Sequence, residues 1–116
     1  MLKLRNGFKI YCNLEPIDMR KAIDGINILI SNHRFEDREK SLFIFRNKEG
    51  NKIKALFWDS NGYVLYYKRL EHRRFKFPVN LDGYIELTEL QLKGLLCGLE
   101  FMLLEDFSEY DFSDFA

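Results

Sequence analysis

Between Ser41 and Pro78 the chain alternates short apolar runs with turn residues, the period-two pattern of β-strands. Lys48-Glu49-Gly50-Asn51 separates the first run from the second. Asp59-Ser60-Asn61-Gly62 separates the second from the third, with Asn61-Gly62 the stronger signal because both residues tolerate positive φ. Either loop length gives the same cross-strand parity. One face then carries Phe43, Phe45, Lys54, Leu56, Trp58, Tyr63, Leu65, Tyr67 and Arg69. The other carries Leu42, Ile44, Ile53, Ala55, Phe57, Val64, Tyr66 and Leu70, with Arg46 and Lys68 near its ends. Neither face is polar, which predicts cover on both sides. The rings of the first face read as core, and their neighbouring cations leave base stacking as the alternative.

Upstream, Phe8–Cys12 alternates well enough for a short strand, placed at an edge of the sheet, and Glu15-Pro16-Ile17 ends it. Asp18 is the expected N-cap of a helix running from Met19 to about Asn32. Its stripe of Met19, Ala22, Ile23, Ile26 and Ile30 matches the aliphatic face. Gly25 in mid-helix costs about 1 kcal/mol relative to Ala, and close approach to the sheet is the expected reason. Arg20 and Lys21 in the first turn oppose the helix dipole.

Downstream, Lys68 to Lys76 packs Lys68, Arg69, Arg73, Arg74 and Lys76, with His72, into nine residues. Phe75 and Phe77 alternate with Arg74 and Lys76, so a short strand ended by Pro78 is expected. Thr88 and Gln91 form a capping box, with Leu87 and Leu92 as its hydrophobic staple. A helix with the stripe Leu92, Leu95, Leu96 and Leu99 follows, with Gly94 and Gly98 weakening or ending it. The pattern predicts an α+β fold: one domain over residues 1–104, with a mostly antiparallel sheet of four to five strands. The first helix packs on a face and a second helix lies near the C-terminus. Residues 105–116, EDFSEYDFSDFA, form an acidic-aromatic tail of the kind found in interaction segments, with a frayed solubilising tail as the equal alternative.

Composition sharpens this picture in one respect. The chain has 116 residues and zero net charge, yet residues 1–78 hold 17 Lys and Arg against 9 Asp and Glu, and the remainder holds 1 against 9. A basic surface suited to polyanions beside an acidic segment is the implication. Hydrophobic content of 47% argues against disorder. No apolar run nears the ~20 residues of a membrane span and no signal peptide opens the chain, so a cytoplasmic protein with reduced Cys12 and Cys97 is expected. His33 and His72 lack partners at metal-ligand spacing. Asp18, Asp24 and Asp59 suggest a Mg²⁺ site only weakly, since a cap and a turn account for Asp18 and Asp59. No catalytic residue and no cofactor is assigned.

Several segments in order resemble one family. Asp18-Met19-Arg20-Lys21-Ala22-Ile23-Asp24-Gly25 is similar to its DMRKxxDGL element. Leu42-Phe43-Ile44-Phe45-Arg46-Asn47 is similar to LFxFRNR, and Lys54-Ala55-Leu56-Phe57-Trp58-Asp59 to KxLxWD. Gly62-Tyr63 through Tyr67-Lys68-Arg69-Leu70-Glu71, then Arg74-Phe75 and Pro78, resembles GxxLxYKRLExGRFxWP. Leu90 to Leu99 resembles its LxxLLxGI ending. These are motifs of the small TnpB-type accessory protein of the insertion-sequence family numbered sixty-six, unrelated to the RNA-guided nuclease sharing that name. Departures are Phe57 for the usual Tyr, Phe77 for the usual Trp, and His72-Arg73 where the family has one residue and Gly. The resemblance implies a bacterial mobile-element protein that assists a separate transposase, with no catalysis of its own.

Together these readings give an accessory module that binds nucleic acid through a basic, aromatic sheet surface. Its candidate contacts are Arg46, Lys54, Lys68, Arg69, Arg73, Arg74 and Lys76. The alternative is an adaptor docking on the transposase of the same element. Trp58, ringed by Phe43, Phe45, Leu56, Tyr63, Leu65 and Tyr67, is expected to be mainly structural.

Overall fold

A computed structural model describes residues 7–77 and 82–97. Pro78, Gly98, Leu99 and the tail 105–116 lie outside the described residues. Five strands form one sheet: β1 (Lys9–Asn13), β2 (Ser41–Arg46), β3 (Lys52–Asp59), β4 (Gly62–Arg69) and β5 (Tyr84–Leu87). Helix α1 (Ile23–Ser31) joins β1 to β2, and α2 (Glu89–Leu96) follows β5. The strand order is β4-β3-β2-β1-β5, antiparallel except for the parallel pair β1–β2.

The expected parity holds across the meander. Phe43 lies opposite Leu56, Phe45 opposite Lys54 and Trp58 opposite Tyr63. Both faces are covered, as two apolar faces require, but the helices are exchanged relative to expectation. Ile26 and Ile30 of α1 pack on Phe43, Phe45 and Leu56, the aromatic face. Leu92, Leu95 and Leu96 of α2 pack with Ile10, Leu42, Ile44 and Ile53 on the aliphatic face. Matching aliphatic stripe to aliphatic face was the wrong criterion, because apolar burial is non-directional. The parallel β1–α1–β2 crossover sets α1 on the aromatic face instead.

Five local expectations are also corrected. β1 is an interior strand between β2 and β5, not an edge. Helix α1 begins at Ile23 after an Ala22 cap that makes no side-chain bond. Asp18 instead accepts from the backbone N–H of Arg20 (2.9 Å) and from its guanidinium, and the Lys21 N–H bonds the Asp18 carbonyl. A Cβ on Gly25 would meet the Lys21 side chain at 3.3 Å, so the sheet is not what crowds it. Phe75 and Phe77 lie in irregular chain, not a strand. In the β3–β4 turn the positive φ falls on Ser60 (56°), while neither Asn61 nor Gly62 adopts it.

The start of α2 follows the sequence closely. Thr88 Oγ1 accepts from the Gln91 N–H (3.1 Å), Gln91 Oε1 accepts from the Thr88 N–H (2.9 Å), and Leu87 and Leu92 are buried together. Cys12 lies in this core, and burial pushes its thiol up to about 12, the Arg46 charge opposing only in part. Native-state alkylation should therefore label half-buried Cys97 and spare Cys12 until the protein unfolds. Labelling of both thiols at one rate under native conditions would contradict this packing.

Candidate nucleic-acid interface

The basic segment emerges where β4 ends and is fixed at two points against the β2–β3 turn. The Leu70 N–H donates to the Asn51 carbonyl and the Phe75 N–H to the Gly50 carbonyl, each at 2.8 Å. Phe75 is buried in the aliphatic core, with Leu70 and Phe77 packed against it. Glu71, His72, Arg73 and Arg74 therefore project as a loop whose ends are pinned. With Glu49, Asn51 and Leu70 they line a shallow cleft of about 270 Å³.

The turn beneath is organised by Asn47, a buried residue that sequence reading passed over. Its Oδ1 accepts from the Gly50 and Lys52 N–H groups, both at 3.0 Å. Its Nδ2 donates to Asn51 Oδ1 (2.7 Å) and Glu49 Oε2 (3.2 Å). Gly50 takes φ +78° there, a conformation that favours glycine. The sequence signal available was an Asn-x-x-Gly turn with Asn in its first position.

The seven candidate cations separate by what they touch. Lys54 Nζ donates to the Met19 and Lys21 carbonyls, both at 2.7 Å, and lies 5.7 Å from the Tyr67 ring centre. Those carbonyls are thereby withheld from helical bonding, which explains the late start of α1. Arg46 Nε donates to the Leu14 carbonyl (3.0 Å), and its guanidinium sits 5.1 Å from the Phe77 ring centre. Lys68 Nζ donates to the Leu96 carbonyl (3.0 Å) at the C-terminal end of α2, where a cation also complements the helix dipole. All three are half-buried fasteners between segments distant in sequence. Arg69 is exposed and paired with Glu71 at 2.8 Å. Arg73, Arg74 and Lys76 are exposed and make no ion pair or hydrogen bond among the described residues. Exposed Lys48 lies on the turn that pins the loop, an addition to the candidates.

The aromatic half of the expected surface is mostly interior. Phe43, Phe45, Tyr11, Phe35 and Tyr84 interlock beneath α1 with ring centres 4.8–6.2 Å apart. Tyr63 and Tyr67 at the β4 edge remain exposed. Trp58 is half-buried rather than enclosed, meeting Tyr63 edge-on at 5.0 Å. The carboxylate of Asp18 forks onto Arg20, which holds it down at about 2. Among the described residues no three His, Cys, Asp or Glu side chains gather as a metal site, and no helix is long and apolar enough to cross a membrane.

A family model described as "IS66 Orf2 like protein" matches residues 8–105. Two curated relatives come from Sinorhizobium fredii (strain NBRC 101917 / NGR234). Uncharacterized protein y4hO is 36% identical over 101 residues, covering 86% of this chain and 88% of that protein. Uncharacterized protein y4jC is 28% identical over 101 residues, covering 86% of each. No solved structure gives a significant match.

Proposed function

The chain belongs to the IS66 Orf2 like family, an insertion-sequence accessory family, and we propose that it assists transposition by binding nucleic-acid phosphates on the pinned loop Glu71–Lys76. The observation that carries this reading is the contrast among the cations. Arg46, Lys54 and Lys68 are spent on backbone carbonyls, while Arg73 and Arg74 are solvent-facing on a loop held at both ends and exposed Lys76 follows its second pin. A fixed loop pays less ordering entropy on binding than a flexible one. Arg69, already paired with Glu71, is a secondary contact, and the three fasteners support the surface without being its contacts. The implied protein partner is the transposase of the same element. Base stacking has no role for the rings packed under α1. The role is one of binding, with no cofactor and no reaction step assigned to this chain.

A salt titration of duplex DNA carrying the element's end sequence tests the reading. Three phosphate contacts should give log K against log salt a slope of about −3. Arg73→Glu with Arg74→Glu should weaken binding by at least about tenfold at low salt, flatten the slope by about 2, and act alike on unrelated duplexes. Removal of the five-acid tail 105–116 should tighten binding if those acids compete for the loop. Absent or salt-insensitive binding by the unmodified protein would end this reading and leave the adaptor.

A further inference from the structure

The longest open backbone in the described structure is the outer edge of β4. Only β3 pairs with it, over eight unbroken register positions from Lys52–Arg69 to Asp59–Gly62. Natural edges of that length are blunted by prolines, bulges or central charges. β4, with sequence GYVLYYKR, has no proline, no bulge and no charge before Lys68. Three of the four large apolar side chains exposed among the described residues lie on it: Tyr63 (41%), Val64 (37%) and Tyr67 (50%).

The hydrogen bonds fix which groups face outward. The Asn47 N–H donates to the Lys52 carbonyl, so Lys52, Lys54, Leu56 and Trp58 bond toward β2 and the intervening residues of β3 bond toward β4. The partners of those residues on β4 are Gly62, Val64, Tyr66 and Lys68, and the Leu70 N–H continues the series to Asn51. The N–H and C=O groups of Tyr63, Leu65, Tyr67 and Arg69 are therefore left pointing away from the sheet.

We propose that this edge binds a second copy of the chain, β4 against β4 in antiparallel register about a two-fold axis at Leu65. A two-fold axis normal to a sheet pairs only residues of like face. Centred on Leu65, it sets Leu65 opposite Leu65 and each exposed Tyr63 opposite the exposed Tyr67 of the other copy. Aromatic pairs of this kind stabilise an antiparallel ladder. The 65–65 and 63–67 pairs use the outward-pointing backbone groups. On the other face, Val64 meets Tyr66, and Lys68, whose Nζ is held by the Leu96 carbonyl, meets Gly62, so no like charges are opposed. Centring the axis on Tyr66 instead would set apolar Val64 against Lys68. The self-complementary spacing of exposed Tyr63 and Tyr67 about Leu65 selects a second copy over an unrelated strand. The arrangement is independent of the nucleic-acid reading.

Disulfide trapping tests the register directly, in a Cys97→Ser background. Tyr63→Cys and Tyr67→Cys alter exposed side chains, and opposite hydrogen-bonded residues lie about 5.5 Å apart at Cα, within disulfide reach. Mixed oxidation should yield a 63–67 heterodisulfide, whereas neither variant alone should cross-link, since like positions sit about 13 Å apart along the strand. Sedimentation should give a dimer for the unmodified protein and a monomer for Tyr67→Pro, which loses an outward N–H and the exposed ring beside Lys54 but no hydrogen bond to β3, and should keep its far-UV spectrum. A monomer throughout, self-linking as fast as mixed linking, or a dimer surviving Tyr67→Pro would each overturn the proposal.

Discussion

Phe45→Ala should be the most damaging single truncation in the sheet, lowering stability by about 3–5 kcal/mol. The ring is fully buried (0% exposed), packed against Ile26 and Ile30 of α1 and edge-on to Tyr84 at 6.2 Å. Removing it opens a void that α1 on one side and the strands on the other are poorly able to close. Domains of this size are stable by about 5–15 kcal/mol, so the variant approaches the unfolding threshold. Trp58→Ala is the informative contrast. Although Trp is larger, Trp58 is half-buried and makes its ring contact with partly exposed Tyr63, so about 1–2 kcal/mol is expected from the area it covers. Urea melts of both variants check the ranking. A Trp58→Ala loss equal to or above that of Phe45→Ala would mean that the core is centred on the β3–β4 end instead.

That ranking departs from the enclosed Trp58 that the sequence implies, and the reason is specific. Strand parity places Phe43, Phe45 and Trp58 on one face, and that part is correct. Parity carries no information on how far a helix extends over the face. Helix α1 has nine residues and covers the β1–β2 side, where Tyr11, Phe35 and Tyr84 complete the cluster, leaving the β4 side more open. Its length is itself set by tertiary contact: Lys54 takes the Met19 and Lys21 carbonyls, and Asp18 closes a turn onto Arg20. A periodic stripe beginning at Met19 shows none of that. β5 was missed for another reason, since four residues, Tyr84–Leu87, give too little alternation to distinguish a strand from a staple before α2.

The candidate site was legible as a composition and illegible as a surface. Counting cations from Arg46 to Lys76 treats each as equally available. The structure separates them by reach: long side chains on β2, β3 and β4 extend across the sheet to carbonyls of Leu14, Met19, Lys21 and Leu96, contacts spanning 28 to 35 positions. Those carbonyls lie in the irregular chain between β1 and α1 and at the end of α2, where backbone acceptors lack regular partners. The residues that remain free of such duties are those in irregular chain, Arg73, Arg74 and Lys76. Three cations of the family motifs, Arg46, Lys54 and Lys68, are fasteners, while Arg69 and Arg74 are not, so the likeness is in part a likeness of fold.

Asn47→Ala should lower stability by about 2–4 kcal/mol, more than its place in a hairpin turn suggests. The side chain is buried and bonds four groups at once; truncating it leaves the Lys52 N–H without its acceptor and the Gly50 N–H with only the longer bond to the Asn47 main-chain carbonyl at 3.3 Å. Each buried donor left unsatisfied costs about 1–3 kcal/mol, partly recovered where water enters. The effect should also spread. Gly50 and Asn51 supply the carbonyls that pin Phe75 and Leu70, so loosening the turn frees the basic loop from the sheet. Amide hydrogen exchange should show this as faster exchange at Leu70 and Phe75 as well as at Gly50 and Lys52. Asn47→Asp keeps both accepted bonds but loses the donated ones and adds a charge near Glu49, so its loss should be smaller than that of alanine and its exchange pattern closer to the unmodified protein. Protection at Leu70 and Phe75 unchanged in Asn47→Ala would show that the loop is held by the burial of Phe75 alone, with the turn no more than a neighbour.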